Sequence, residues 1–316
     1  MRVSRRGFLN ALGGAACGGL VGACGGSRGR DDGKEGMGTV AWSGIGFGIG
    51  MTMEIHGVDR RTGERLEAAC ESTIAELERA FSLYSEDSEL SVLNRERVLR
   101  RPSAVFREVC AGAVELNRRT AGYFEPAVHG VWRRLEEDPR AVPDFSGASL
   151  KWLAVGDEIR LDHPRTELSF NALVQGVLAD KVAAQVRAVG AVGAVSALLQ
   201  LGETVAVGAH PDGRPWRLAV AGGETILGEL DLSNSGMAVS RHDAGRLLVD
   251  PVSGSVLRGG RTVAVVSEEG AAVADAFATA LAVAPPEARA GLAENLAAGG
   301  ACQAVVWEGA DAVFRA

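Results

Sequence analysis

Between residues 195 and 267 the chain places the short runs "VSALLQL", "TVAVG", "WRLAV", "LLVD" and "TVAVVS", parted by turn signals such as "HPDGRP". Runs of this length, rich in Val and Leu and bounded by Gly, Pro and Asp, read as strands. They are not interleaved with helical segments at a regular strand-helix-strand period, so a doubly wound parallel sheet does not fit. Hairpin-like pairs do fit, and they predict a single α+β body built on antiparallel sheet with flanking helices.

The helices declare themselves by apolar steps of three and four. Leu66, Cys70, Ile74, Leu77 and Phe81 predict an amphipathic helix over 65–82, ended by the polar loop "YSEDSE". A second helix should start at Ser103, bury Val105, Phe106, Val109, Ala113 and Leu116, and stop near Ala121-Gly122, where glycine takes a left-handed cap. A third begins at Asn171, with Val174, Leu178, Val182 and Val186 in steps of four. An Ala-rich helix contains "ADAFATAL", residues 274–281. Ahead of all these, Met51, Met53 and Ile55 alternate as a strand after a Gly-rich entry, and the stretch 133–167 reads as small strands around turns. No repeat of fixed period is visible.

The first residues belong to a different class. "VSRRGFLNALGGAACGGLVGAC" sets Arg5-Arg6 before an apolar stretch too short and too rich in Gly and Ala to span a bilayer. It reads as a twin-arginine export signal, with Val21–Cys24 as a lipobox whose Cys24 would carry a lipid anchor to the membrane. The expected division is a signal over 1–23, a Gly-rich linker over 24–40 and a folded body over 41–316. Such a protein would be periplasmic or outer-facing. The formal charge of -7 becomes -10 once the three arginines of residues 1–23 are removed, leaving 30 basic against 40 acidic residues. That balance excludes sequence-independent nucleic-acid binding, which needs a basic face. Beyond the signal, Cys70, Cys110 and Cys302 lack metal-cluster spacing, and Cys70 and Cys110 read as buried hydrophobes.

Within "ADAFATAL", Asp275 and Thr279 are four residues apart, so a helix stacks carboxylate and hydroxyl on one face. Hard oxygen donors of this kind suit Mg²⁺, which takes one or two carboxylates and lets a substrate phosphate complete its shell. The bland alternative, an Asp near a helix start and a Thr bonded back to its own helix, is common. The Gly-x-Gly spacing of "GIGFGIG" precedes a strand instead of joining strand to helix, which disfavours a Rossmann dinucleotide site.

Seven segments in order weigh against the bland alternative. "FSLYSEDSELSVLN", "AGYFEPAV", "NALVQGVLADKV", "LLQLGE", "PDGRPWRLAV", "LLVDPVSG" and "ADAFATAL" together resemble the ApbE-type flavin transferases, the FAD:protein FMN transferases, over roughly residues 42–290. The resemblance implies transfer of the FMN moiety of FAD to a threonine of an acceptor protein, with release of AMP and dependence on Mg²⁺. It implies metal ligation by the Asp275 and Thr279 side chains and by the backbone carbonyls of Ala172 and Ala278. It places flavin contacts on Phe47, Tyr84, Tyr123, Phe124 and Glu125, with Ser169 and Gln175 standing where the family usually has an Asp and a Lys or Glu. Asp275 and Thr279 would be the residues on which catalysis depends.

The chain departs from the family pattern in "AVSRHDAGRLLVDP", where Leu247 stands at the family's histidine and Ser240, Asp250 and Pro251 remain recognisable. His242, five residues earlier, reads either as a substitute for that histidine or, more commonly for such a residue, as a solvated loop side chain. Two alternatives therefore stand beside transfer: an FAD-binding carrier lipoprotein of the same fold, and a Mg²⁺-dependent FAD pyrophosphatase.

Overall fold

The computed structural model describes residues 37–138, 140–189, 195–243 and 247–316. The expected signal, Cys24 and nearly all of the expected linker lie outside the described residues. The chain opens on a hairpin of β1 (Gly38–Gly46) and β2 (Ile49–Val58), then α1 (Arg60–Phe81), α2 (Glu89–Glu96), β3 (Val98–Leu99), α3 (Ala104–Arg119) and α4 (His129–Glu137). Two short strands, β4 (Leu153–Val155) and β5 (Ile159–Leu161), precede α5 (Asn171–Val189). A run of strands follows: β6 (Ser196–Leu201), β7 (Glu203–Val207), β8 (Trp216–Gly222), β9 (Thr225–Leu232), β10 (Gly236–His242), β11 (Leu247–Asp250), β12 (Ser255–Arg258) and β13 (Arg261–Ser267). The end of the chain is α6 (Ala271–Val283), α7 (Pro286–Ala297), β14 (Cys302–Glu308) and β15 (Asp311–Arg315).

Eight strands form one sheet in the order β1-β2-β6-β7-β10-β13-β14-β15, and each neighbouring pair is antiparallel. The α+β class expected from the hairpin-like runs is the class found. Both faces of the central strands are covered, which explains why "TVAVVS" is buried throughout, with an unbroken apolar run from Val263 to Val266 instead of alternation. Val263 and Val265 join the core under the helices, while Ala264 and Val266 pack with Trp216, Val220, Leu230 and Leu232 of the β8–β9 hairpin on the other face. Helices α1, α5 and α6 stack on one another and on the sheet.

Some local outcomes differ from the sequence expectation. The Gly-rich entry is itself strand β1, which begins within the expected linker, and Phe47 and Gly48 (φ 52° and 77°) turn the chain into β2. Two consecutive positive φ values are what a tight two-residue hairpin needs. Helix α1 starts at Arg60 because Asp59 accepts the Thr62 backbone N–H at 2.6 Å. Part of the polar stretch is α2, started by Ser88 accepting from the Ser91 N–H at 3.1 Å. Helix α4 occupies the beginning of the region read as small strands. The α3 boundaries agree closely: Ser103 caps the start and Ala121 and Gly122 both have positive φ after the end.

Three aromatic rings hold together the segments that matter most for the site. Phe81 stacks on Phe106 at 5.0 Å between centroids, and Phe170 meets Phe81 edge-on at 5.6 Å. All three are fully buried. The trio fixes the end of α1, just before Ser82–Tyr84, against the start of α5, so that both open onto the same space. Cys70 and Cys110 are buried free thiols, pushed up to about 12 by desolvation, in keeping with a packing role. No helix among the described residues is long and apolar enough to cross a membrane.

Candidate active site

Strand β10 pairs with β7 only at Gly236–Val205 and Met237–Thr204. Beyond these the two strands part, at Glu203, the first residue of β7, and Val239 of β10. The opening leads into a cavity of about 690 Å³, a size typical of sites that engulf a small-molecule ligand. Its walls come from the β1–β2 turn, the chain after α1, the segment 123–136, the start of α5, β10, β11 and α6.

The structure brings nearly all the sequence-predicted residues to this one cavity. Phe47, Tyr84, Tyr123, Phe124 and Glu125 line it, as do Ser169, Ala172, Gln175, Asp275 and Thr279. They do so differently. Phe47 sits at positive φ with its N–H donated to Glu78 Oε1 at 2.7 Å, which holds its ring at the cavity edge. Tyr84 is half exposed, whereas Phe124 is almost entirely packed into the core. The buried Glu125 carboxylate accepts the Ala127 N–H at 3.1 Å, the Leu150 N–H at 2.9 Å and Asn117 Nδ2 at 3.2 Å. Its geometry is that of a bracket for the turn, despite its place on the wall. Ala278 is the exception: it lies fully buried in the body of α6 and off the cavity wall. Its carbonyl is engaged by the helix N–H four residues on but keeps a second lone pair.

Helix α6 is apolar on every side, as expected of a helix enclosed by other elements. Asp275 in its middle is therefore an anomaly that demands a partner. Desolvation pushes its carboxyl up to about 8, and burial together with the Asp275 charge raises Glu203 well above the usual carboxylate range. Two buried acids sharing one cavity disfavour each other's ionised form, and a cation between them would reverse that. Sequence reasoning missed Glu203, although "LLQLGE" was visible; its approach to Asp275 exists only in the folded sheet. Ala172 adds a second observation. With φ −87° and ψ 33° it interrupts the helical geometry of α5, so the helix kinks where a backbone oxygen was expected as a ligand. Among the described residues no three His, Cys, Asp or Glu side chains gather as a metal cluster. Two carboxylates, the Thr279 hydroxyl and the Ala172 carbonyl are a hard-oxygen set that fits Mg²⁺ with positions left for phosphate.

The orientation of α6 is fixed from outside. Asp180 of α5 accepts the Ala271 and Ala272 N–H groups at 2.8 and 2.9 Å, capping a helix that has no side-chain cap of its own. Asp180 lay within "NALVQGVLADKV", with nothing local to reveal that its partner is a helix about ninety residues on.

His242 corrects the sequence expectation. It ends β10 instead of lying in a loop, it is half buried on the cavity wall, and its Nε2 is 2.9 Å from Ser240 Oγ. Leu247 also lines the cavity and packs against the small cluster of Val131, Leu135, Ala148 and Val249. His129 and Trp132 stack at 6.3 Å on the same wall. Burial lowers the His129 imidazole to about 4. A histidine lowered in the fold stabilises it fully above the unfolded value near 6.5, and that contribution is lost as pH falls toward 4. The His129 contribution should thus decline by about 2 kcal/mol over this window after allowing for partial solvent access, against the opposite trend of the buried Asp275, so it is read as the difference between wild type and His129→Gln. Urea midpoints measured from pH 7 to pH 4 check this, and His129→Gln should flatten that component.

The comparisons bear on the family and the fold. The model of the ApbE family matches residues 47–303. A FAD:protein FMN transferase of Haemophilus influenzae is 27% identical over 207 residues, which are 57% of this chain and 58% of that protein. Another from Rhodobacter capsulatus is 27% identical over 269 residues, 76% of this chain and 50% of that protein. The matched region thus spans between half and three-fifths of the length of these relatives. Among solved structures, the apo form of the Pseudomonas stutzeri flavinyl transferase ApbE has a TM-score of 0.71 at 24% identity, covering 89% of this chain and 94% of that one. That likeness bears on the fold.

Proposed function

The chain belongs to the ApbE family, and from that premise we propose that it is an FAD:protein FMN transferase that splits FAD at its pyrophosphate and joins FMN to a threonine of an acceptor protein, releasing AMP. The observation that carries this reading is the buried Asp275–Glu203 pair, with Thr279 beside it, on the wall of a cavity edged by Phe47, Tyr84 and Tyr123. Mg²⁺ held there would neutralise the diphosphate and favour departure of AMP.

The chain's own residues account for the rest. Aromatic rings at the cavity edge suit planar ring systems, and Gln175 offers both a donor and an acceptor to a flavin edge. Without a cation, burial keeps Glu203 and Asp275 protonated, and a divalent ion bound between them would displace those protons and offset the cost of two buried carboxylates. Ser240 and His242 supply a hydroxyl and an imidazole within hydrogen-bonding distance of each other. Arg5-Arg6 and Cys24 extend the reading to an exported, lipid-anchored enzyme acting on an exported redox protein.

Incubation of the mature chain with FAD, Mg²⁺ and a threonine-bearing acceptor domain tests this reading. The expected result is flavin fluorescence on the acceptor and one AMP released per flavin transferred. Bound but unbroken FAD would leave the carrier reading in its place. Free FMN and AMP with an unlabelled acceptor would leave the pyrophosphatase reading.

A further inference from the structure

We propose that Ser240 is itself an acceptor of FMN, so that the chain carries flavin covalently on its own Ser240 Oγ before handing it on. The inference rests on the reading that this cavity splits FAD, and it adds a modification site and a covalent stage to it.

The case begins with strand alternation. On β10, Ala238 faces the core under the helices while Met237 and Val239 face the β8–β9 layer. Ser240 and His242 continue the Ala238 face, and both line the cavity together with Asp275 and Thr279. A serine hydroxyl alone is a weak nucleophile. A base within hydrogen-bond reach of its oxygen removes that weakness, and Ser240 Oγ lies 2.9 Å from His242 Nε2. This is the spacing of a nucleophile and its base, in the same cavity that the buried carboxylates Asp275 and Glu203 line. Leu247 brings no competing base to this wall. His129, also on the wall, is stacked on Trp132 and is too weakly basic to take a proton near neutrality.

The step balances without any further reagent. The Ser240 hydroxyl proton passes to His242 Nε2 as Oγ bonds to the phosphorus on the FMN side of FAD. The bond from that phosphorus to the bridging oxygen breaks, and its electron pair leaves with AMP. His242 then returns its proton to the AMP phosphate or to solvent. The product is a phosphodiester of FMN and Ser240. An acceptor threonine hydroxyl, or water, attacks the same phosphorus, and Ser240 Oγ leaves and regains a proton through His242.

The test uses the mature chain with FAD and Mg²⁺, without acceptor, quenched in acid within the first turnover and read by intact mass and peptide mapping. The expected result is a mass gain of one FMN less one water, located on Ser240, and chased by added acceptor. Ser240→Ala should lose the adduct and slow AMP release at least a hundredfold, Ser240→Thr should keep the adduct, and His242→Gln should slow its formation. FAD binding, followed by quenching of flavin fluorescence, should survive in all three. AMP release from an unmodified wild-type chain, or wild-type AMP release from Ser240→Ala, overturns this proposal alone. A wild-type chain that releases no AMP at all overturns the transferase reading and this proposal with it.

Discussion

Asp275→Asn should reduce AMP release from FAD by about a thousandfold while leaving a chain that folds, binds FAD and, without metal, is more stable than wild type above neutrality. The argument follows from where Asp275 sits. Its carboxyl is raised to about 8 in the fold from an ordinary value of 3.8, so the folded chain binds a proton there that the unfolded chain has released. Between about pH 4 and pH 8 the unfolded state holds fewer protons, and stability must fall as pH rises through that window. Asparagine keeps the shape, removes one of two mutually repelling acids, and so removes Asp275's share of the fall, leaving only the part due to burial of Glu203. Mg²⁺ should raise the melting temperature of the wild type at pH 8 and have no such effect on Asp275→Asn. Melting curves at pH 5 and pH 8, with and without Mg²⁺, together with AMP release, check each part. An unfolded variant, or one that keeps the wild-type Mg²⁺ shift, would return Asp275 to a structural role.

This expectation shows which part of the site could be read before folding and which could not. Asp275 and Thr279 face together because they are one helical turn apart, a local fact that spacing alone conveys. Glu203 reaches the same cavity only because β10 leaves β7 after two paired residues, and no local pattern encodes where two strands separate. His242 lies between these cases. Its direction follows from alternation with Met237 and Val239, but "GMAVSRH" carries no turn signal or apolar period strong enough to identify it as a strand. The same physics explains the fold-level differences. Helices α1, α3, α5 and α6 have enough turns for an apolar face to repeat, whereas α2 and α4 span 8 and 9 residues and depend on packing for their existence. Strand β1 was obscured by its own glycines, which are poor strand formers until a neighbouring strand supplies the ladder. The seven-segment resemblance compensated for some of this, since motif order located Ala172 and Gln175 on a helix whose internal break at Ala172 could not be anticipated.

The metal face also depends on two glycines that touch no ligand, and Gly236→Ala is expected to be the most damaging of the small substitutions. Replacing glycine by alanine where the backbone permits it usually stabilises a protein, by about 0.4–1 kcal/mol through the unfolded chain. Here the sign reverses. A Cβ on Gly236 would lie 2.1 Å from the Ala271 backbone N and 2.3 Å from the Gly270 carbonyl carbon. These are backbone atoms, so no rotamer change relieves the overlap. From the opposite side, a Cβ on Gly176 would lie 2.6 Å from both Cα and N of Ala272. The first turn of α6 is thus held between β10 and α5, and the Asp180 carboxylate pins its N–H groups in that gap. To admit one methyl group the helix must move away from β10, which stretches the Asp180 hydrogen bonds and displaces Asp275 relative to Glu203. The expected cost is about 3 kcal/mol, seen as a lower urea midpoint with an unchanged slope, accompanied by loss of the Mg²⁺-dependent rise in melting temperature. Gly176→Ala should act in the same direction, and because both press on one helix turn their effects should not add. Asp275→Asn loses the metal response with stability intact, whereas Gly236→Ala should lose both together. Wild-type stability and Mg²⁺ response in Gly236→Ala would mean that the position of α6 is set elsewhere.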